Sequence, residues 1–136
     1  MITASIIRNS PDMIALLGEH CVVRSINGGH FAHEKHIAES LAQRPALWWL
    51  FLYTALGHDI TVFVPHHKVK HLLIKDALRT KKYQGREIGP GWQFSLRQKD
   101  DEWILKVSNN KDYVDVADHL GCTTEFNQLL ANAGIE

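Results

Sequence analysis

The chain has 136 residues, 45% of them hydrophobic and 22% charged, and its 15 basic residues (Lys and Arg) equal its 15 acidic ones. This length and composition are typical of a single globular domain spanning residues 1–136, and they exclude a largely disordered chain. The longest apolar run, residues 46–56, is too short for a membrane span, so no membrane partner is expected. The sequence begins with no secretory leader pattern and its two cysteines lie far apart, which favours a cytoplasmic location.

The first half of the chain alternates between strand-like and helix-like patterns. Apolar and β-branched runs predict three strands, over residues 3–7, 21–26 and 60–64. Helical patterns predict three helices, over residues 10–19, 30–43 and 45–57. The first of these helices has the clearest start, because Ser10 is a favourable N-cap and Pro11 follows it at the first helical position. The third is apolar nearly all round, which predicts a buried helix.

The second half of the chain contains a long amphipathic pattern and a hairpin. Residues 67–82 are predicted to form one helix, followed by a loop over residues 85–91. Residues 92–108 alternate between apolar and polar side chains on both sides of a polar turn at residues 99–101, which predicts an antiparallel hairpin with one buried face. Two short helices are predicted at the end of the chain, over residues 112–120 and 123–133.

The order of these elements indicates the fold class, because strands and helices alternate irregularly and one antiparallel hairpin is present. We therefore expect a single α+β domain. It should contain one mixed sheet of about five strands, including the hairpin near residues 92–108, with the helices packed on the sheet.

The zero net charge conceals a strong separation of charge along the chain. Residues 1–65 carry four basic and five acidic side chains, a net charge of minus one. Residues 66–99 carry nine basic and two acidic side chains, a net charge of plus seven. Residues 100–136 carry two basic and eight acidic side chains, a net charge of minus six. This asymmetry indicates a polyanionic partner for the middle segment, unless the two charged segments neutralise each other in the fold.

The predicted helix over residues 67–82 carries most of the candidate binding residues. At about 100° per residue, its basic side chains fall on one stripe, opposite the apolar side chains that can meet the sheet. The stripe extends ~21 Å, which is long enough to follow several phosphates of a nucleic-acid backbone. Cations of the following loop and hairpin can widen it. The predicted nucleic-acid-binding residues are Lys68, His71, Lys75, Arg79, Lys82, Arg86 and Arg97.

The favoured interpretation is a small cytoplasmic protein that binds nucleic acid or another polyanion through this basic helix. An alternative is a protein-interaction module that self-associates as a homo-oligomer, the basic middle of one copy meeting the acidic last third of another. A second alternative is a metal-independent nuclease, in which the histidines of residues 66–71 act as acid and base beside the cations of the helix.

Catalytic and metal-binding patterns are weak in this sequence. No spacing identifies a nucleophile, so no catalytic residue is assigned and an enzyme is the less favoured class. His67 and His71 are four residues apart, a spacing that lets two imidazoles share a metal on one helix. No third ligand accompanies them in a metal-binding pattern, so neither a metal site nor a cofactor is predicted.

Overall fold

Two β-sheets pack face to face, and helices cover the other face of the smaller sheet. The computed structural model describes residues 1–26, 31–33, 47–73, 79–107 and 110–135. The strands are β1 (Val22–Ile26), β2 (Phe31–His33), β3 (Trp48–Tyr53), β4 (Ile60–Pro65), β5 (Arg79–Tyr83), β6 (Arg86–Lys99), β7 (Glu102–Val107) and β8 (Tyr113–Asp115). The α-helices are α1 (Ala4–Arg8), α2 (Pro11–Gly18), α3 (His66–Val69) and α4 (Thr124–Asn132), and 3-10 helices cover Lys70–Leu72 and Ala117–His119.

The smaller sheet has three strands in the order β1-β3-β4. Strand β1 is parallel to β3, with Val22 opposite Trp49 and Ile26 opposite Tyr53. Strand β4 is antiparallel to β3, and Trp48 lies opposite Pro65. The central strand β3 is therefore hydrogen-bonded on both sides.

The larger sheet has five strands and is built around β6. Strand β6 pairs with β2 and β7, and β8 extends the sheet beyond β7, while β5 pairs with the first part of β6. All of these pairings are antiparallel. Strand β6 has 14 residues and takes part in two successive hairpins, one with β5 and one with β7.

Side chains of β3 alternate between two hydrophobic cores. Trp49, Phe51 and Tyr53 join the inter-sheet core, where they pack with Phe94 and other inward residues of the larger sheet. The intervening residues Leu50 and Leu52 belong instead to the helix-side core, formed with α1, α2 and α4. Because alternate residues of a strand point to opposite faces, a strand between two apolar layers is apolar at every position.

Local capping accounts for the two longest helices among the described residues. At α2, the Ser10 side chain accepts a hydrogen bond from the Met13 backbone N–H (3.3 Å), and Pro11 is the first helical residue. At α4, the Thr123 hydroxyl accepts from the Phe126 N–H (3.1 Å). Both helices were predicted from the sequence, and both predictions are confirmed within two residues.

Two predictions for the first half of the chain have the wrong type of element: one predicted strand is a helix, and one predicted helix is a strand. Residues 3–7 were predicted to form a strand, but Ala4–Arg8 are helix α1, because the Thr3 side chain caps the helix and Ala4 and Ile7 are buried on one face. Residues 45–57 were predicted to form a buried helix, but residues 48–53 are strand β3. The apolar run reflects burial on both faces of a sheet, and periodicity alone does not distinguish the two cases.

The predicted helices over residues 67–82 and 112–120 are also wrong. The first segment contains one helical turn (α3), a 3-10 turn and strand β5, and the second contains strand β8 and a 3-10 helix. The predicted helix over residues 30–43 begins instead with strand β2, and residues 34–43 lie outside the described residues. The predicted hairpin is confirmed, with Lys99 opposite Glu102 beside its turn.

The mixed α+β class is confirmed, but the single sheet of about five strands is not. The strands divide between a mixed three-stranded sheet and an antiparallel five-stranded sheet. The division follows from the pattern of burial: both sheets contribute an apolar face to the inter-sheet core, so one sheet covers the other.

Candidate polyanion-binding surface

The seven predicted binding residues do not lie on one helix. Lys68 and His71 lie on α3 and the following 3-10 turn, whereas Arg79 and Lys82 lie on β5 and Arg86 and Arg97 on β6. Lys75 lies outside the described residues. The residues that were predicted to form one helical stripe therefore lie on several elements, and of those that the structure describes only Arg79 and Lys82 belong to the β5–β6 hairpin.

Lys68 is engaged by a neighbouring histidine. Its Nζ lies 2.8 Å from Nε2 of His119, and because an ammonium group only donates, the imidazole nitrogen accepts. Burial lowers the pKa of His119, and the charge of Lys68 lowers it further. The nearby carboxylates of Asp118 and Glu125 oppose this shift. Lys68 is thus half-buried in a polar cluster with acidic residues of the last third, and it is less available to a polyanion than its position in the sequence predicts.

His71 is exposed, but its backbone is fixed. The side-chain amide of Asn110, a buried residue, donates to the backbone oxygens of His71 (3.4 Å) and Leu72 (3.1 Å). The Asn110 Oδ1 accepts in turn from the Asp112 N–H (3.0 Å). This bridge holds the segment before β8 against the 3-10 turn after α3.

Lys82 and Arg86 both lie at the tip of the β5–β6 hairpin, but on opposite faces of it, because Lys82 pairs with Glu87, the residue that follows Arg86. Tyr83 lies opposite Arg86, so Gln84 and Gly85 form a two-residue turn, and Lys82 lies opposite Glu87. Both turn residues have positive φ, 50° at Gln84 and 80° at Gly85, as a type I′ turn requires. The side chains of Lys82 and Arg86 are exposed.

Arg97 lies near the other end of β6. At about 3.3 Å per residue, eleven residues of strand separate it from Arg86 by up to ~36 Å. Arg97 and Lys99 are exposed and belong to the outer face of the larger sheet, because the alternate residues Phe94 and Leu96 are buried in the inter-sheet core. The site therefore has two groups of cations connected by one long strand.

Sequence analysis did not include Lys106 and Tyr113, which complete the group around Arg97. Ser95 lies opposite Lys106, and Lys106 lies opposite Tyr113. Tyr113 is 56% exposed, and it shares the outer face with Arg97. The alternation in β7 could have identified Lys106 as outward-facing. Tyr113 was predicted to lie in a helix, and its position beside Lys106 follows from the pairing of β7 with β8, which local sequence patterns do not specify.

Carboxylates lie opposite cations in both groups and reduce the local positive charge. Glu87 faces Lys82, and Glu102 faces Lys99, at directly opposed positions of the two ladders. Asp115 lies on the outer face opposite Ile104, the residue that also lies opposite Arg97. The acidic last third thus approaches the outer face at one edge, while Asp118 and Glu125 lie near the Lys68–His119 pair.

Arg24 differs from the predicted binding residues because its side chain is half-buried in the core between the sheets. It lies on β1 between Val22 and Ile26 of the inter-sheet core and is half-buried. Its Nη1 donates to the Val23 backbone oxygen (2.7 Å), and its buried Nε has no hydrogen-bond partner among the described residues. Burial lowers the pKa of this guanidinium. Its burial separates it from the exposed cations of β5 and β6.

His66 is held by a buried tryptophan. The fully buried Trp49 donates its indole N–H to Nδ1 of His66 (3.1 Å), so Nδ1 carries no proton. Burial lowers the pKa of His66, and the charges of Lys70 and His67 lower it further. Such an imidazole retains its proton on Nε2, and its role here is to satisfy a polar atom of the core.

Other classes of site were sought in the same residues. Within the described ranges, no group of three or more His, Cys, Asp or Glu side chains is arranged to hold a metal ion. No helix in the part of the chain that the structure describes is long and apolar enough to cross a membrane. Comparison with protein-family models, curated proteins and solved structures found no match to this chain.

Proposed function

We propose that the protein binds single-stranded nucleic acid along the outer face of the larger sheet. The observation that carries this proposal is that one sheet face combines the exposed Arg97 with Lys106 and the 56% exposed ring of Tyr113. Sheet surfaces of this composition suit single strands, because cations follow the phosphates and an exposed aromatic ring accepts a stacked base.

The hairpin tip supplies a second contact on the same strand. Lys82 and Arg86 are exposed there on opposite faces of the hairpin, so one of the two lies on the face of Arg97, and β6 joins both to it. A strand of 14 residues extends ~46 Å at about 3.3 Å per residue, which is long enough for several phosphates of an extended nucleic acid. Binding that begins on Tyr113 and Arg97 can therefore continue to the hairpin tip.

Salt dependence gives the first test. A labelled single-stranded oligonucleotide should bind at low salt and dissociate as salt is raised, because each neutralised phosphate releases condensed counterions. Removing one phosphate contact by Arg97→Glu should reduce the slope of log affinity against log salt by about 0.7 or more. Fluorescence anisotropy at several salt concentrations measures both quantities.

A matched charge reversal controls for the change in net charge. Lys70 is also exposed, but it lies on the 3-10 turn after α3 and not on a strand of the five-stranded sheet. Lys70→Glu should change affinity by less than about twofold, while Arg97→Glu weakens binding by about tenfold or more. Equal losses in the two variants, or no binding to either DNA or RNA at low salt, would contradict the proposal.

Stacking is tested separately from charge. Tyr113→Ala should cost about 1–3 kcal/mol of binding, the typical loss for one base–aromatic stack. Tyr113→Phe should retain most of the affinity, because the ring remains. If the alanine variant binds as well as the natural protein, Tyr113 does not stack on a base and the surface acts through charge alone.

A further inference from the structure

A pocket lies on the opposite side of the molecule from the proposed nucleic-acid surface, between α4 and the smaller sheet. Its volume is about 300 Å³, the lower end of the range for small-molecule sites. The lining combines an aromatic wall with polar side chains of α4 and of the segment after α2. The lining residues that matter for recognition are Trp48, Phe63, His20, Glu125, Gln128 and Asn132.

The aromatic wall is formed by two stacked rings from neighbouring strands. The ring centroids of Trp48 (β3) and Phe63 (β4) lie 4.7 Å apart, with an angle of 22° between their planes. Phe63 is 6% exposed and packs in the helix-side core, whereas Trp48 is only half-buried. Because each ring covers one face of the other, the half-buried Trp48 supplies most of the open aromatic surface, and an open ring face attracts a cation or a planar ring.

The described part of the lining contains one carboxylate, that of Glu125, and one imidazole, that of His20. Glu125 is the only carboxylate among the described residues of the lining, and no Lys or Arg of the described chain lines it. Glu125 is exposed in the first turn of α4. Lys68 lies nearby but is hydrogen-bonded to His119 rather than exposed in the pocket. An anion would therefore meet a carboxylate, with no Lys or Arg in the described lining to neutralise it.

The amide side chains of α4 complete the rim. Gln128 donates from Nε2 to Oδ1 of Asn132 (2.9 Å), one turn further along the helix. This bond leaves the carbonyl oxygen of Gln128 as an acceptor, so Glu125 and Gln128, three residues apart, present acceptors on one side of the helix. Acceptors opposite a π surface favour a ligand that carries N–H donors and positive charge.

We propose that this pocket binds a small organic cation, an amine on a short aromatic body, with its ring against Trp48 and Phe63 and its ammonium group beside Glu125. The aromatic wall supplies stacking and cation–π attraction, and the carboxylate supplies the counter-charge. A pocket of about 300 Å³ holds one ring and its amine, but not a nucleotide with its phosphates. The site is independent of the proposed nucleic-acid surface.

Three isosteric probes of different charge test this assignment. Isothermal titration calorimetry with the whole chain at pH 7.5 compares 2-phenylethylamine (cation), 2-phenylethanol (neutral) and phenylacetate (anion). The cation should bind about tenfold more tightly than the alcohol, and the anion should bind more weakly than either. Equal affinities for the cation and the alcohol, a preference for the anion, or no binding of the amine at millimolar concentration would overturn the proposal.

Variants separate the carboxylate from the aromatic wall. Glu125→Gln should reduce the preference for the amine over the alcohol to within about threefold while leaving binding of the alcohol unchanged. Asp118→Asn is the matched control, because Asp118 is also exposed and acts on His119 but does not line the pocket. Trp48→Leu should weaken both probes, and circular dichroism verifies its fold. Equal loss of preference in the Glu125 and Asp118 variants would refute the assigned role of Glu125.

Discussion

Two histidines show how the fold controls protonation at the level of single residues. His66 accepts from the buried Trp49 indole, and His119 accepts from Lys68. Burial is the main cause of the lowered pKa of both imidazoles. Neither contact was predictable from local sequence, because Trp49 and His66 lie 17 positions apart and Lys68 and His119 lie 51 apart. Only the pairing of the strands and the packing of the last third bring them together.

We predict that the protein becomes less stable as the pH falls from 7.5 to 5. The native pKa of His66 lies below its ordinary value of 6.5, so the unfolded chain binds more protons in this range and stability rises with pH. Protonated Nδ1 would also oppose the Trp49 N–H and leave that buried donor unpaired. Urea denaturation at several pH values measures the slope of stability against pH.

His66→Asn separates this effect from other titrations. The Asn oxygen can accept from the Trp49 indole without titrating, so the variant should lose less stability in acid than the natural protein. His20→Asn is the control, because His20 is exposed. His66→Ala should lower stability by about 1–3 kcal/mol at pH 7.5, the typical cost of an unsatisfied buried donor. The same pH dependence in His66→Asn and the natural protein would contradict this account.

At the scale of elements, the sequence predicted the helices and strands that have a local pattern, such as a helix cap or an alternation of apolar and polar residues. The Ser10 cap identified α2, a helical pattern predicted α4, and alternation identified the β6–β7 hairpin. Strand β3 was missed because both of its faces are buried, which removes the period-two pattern. The basic helix was predicted from an amphipathic spacing of cations and apolar residues, and the Gln84-Gly85 turn that separates β5 from β6 was overlooked.

We predict opposite effects for the same substitution at two glycines. Gly85→Ala should destabilise the protein by about 1 kcal/mol or more, because φ at this residue is +80°, a conformation that alanine adopts at a cost. Gly18→Ala should stabilise it by about 0.5–1 kcal/mol, because Gly18 is helical. An added Cβ meets no atom within 4 Å at either position, so the difference is one of backbone conformation.

Hydrogen exchange assigns the two glycine effects to their elements. Amides of the β5–β6 hairpin should exchange faster in Gly85→Ala, and those of α2 should exchange more slowly in Gly18→Ala. Chemical denaturation gives the sign and size of each change. If Gly85→Ala is neutral or stabilising, the turn does not have the type I′ conformation in solution.

At the scale of the whole molecule, folding brings some of the acidic side chains of the last third close to basic side chains of the middle segment. Part of the cancellation is local, since Asp118 and Glu125 lie near the Lys68–His119 pair. Lys82, Arg86, Arg97 and Lys99 remain exposed on the larger sheet, and Glu87 and Glu102 lie opposite two of them, Lys82 and Lys99. Charge counting predicted that a basic surface exists, but its location depended on β5 and β6 forming a hairpin, which helical spacing does not predict.

The three-layer arrangement predicts that both cores unfold together. Phe94 bridges the sheets, with its ring centroid 4.8 Å from that of Phe51, while Phe126 packs in the helix-side core 6.4 Å from Phe63. Both are fully or almost fully buried, so Phe94→Ala and Phe126→Ala should each destabilise the protein by about 3–5 kcal/mol. Strands β3 and β4 contribute to both cores, and loss of either core removes one covered face of the same sheet.

Two probes of unfolding distinguish this coupling from independent cores. In each variant, tryptophan fluorescence and far-ultraviolet circular dichroism should follow one coincident transition at a lower denaturant concentration. Leu56→Ala is the control, because Leu56 is 88% exposed and its loss should change stability by less than about 0.5 kcal/mol. Two separated transitions in Phe94→Ala would mean that the helix-covered sheet persists without the larger one, since only the inter-sheet core contains Phe94.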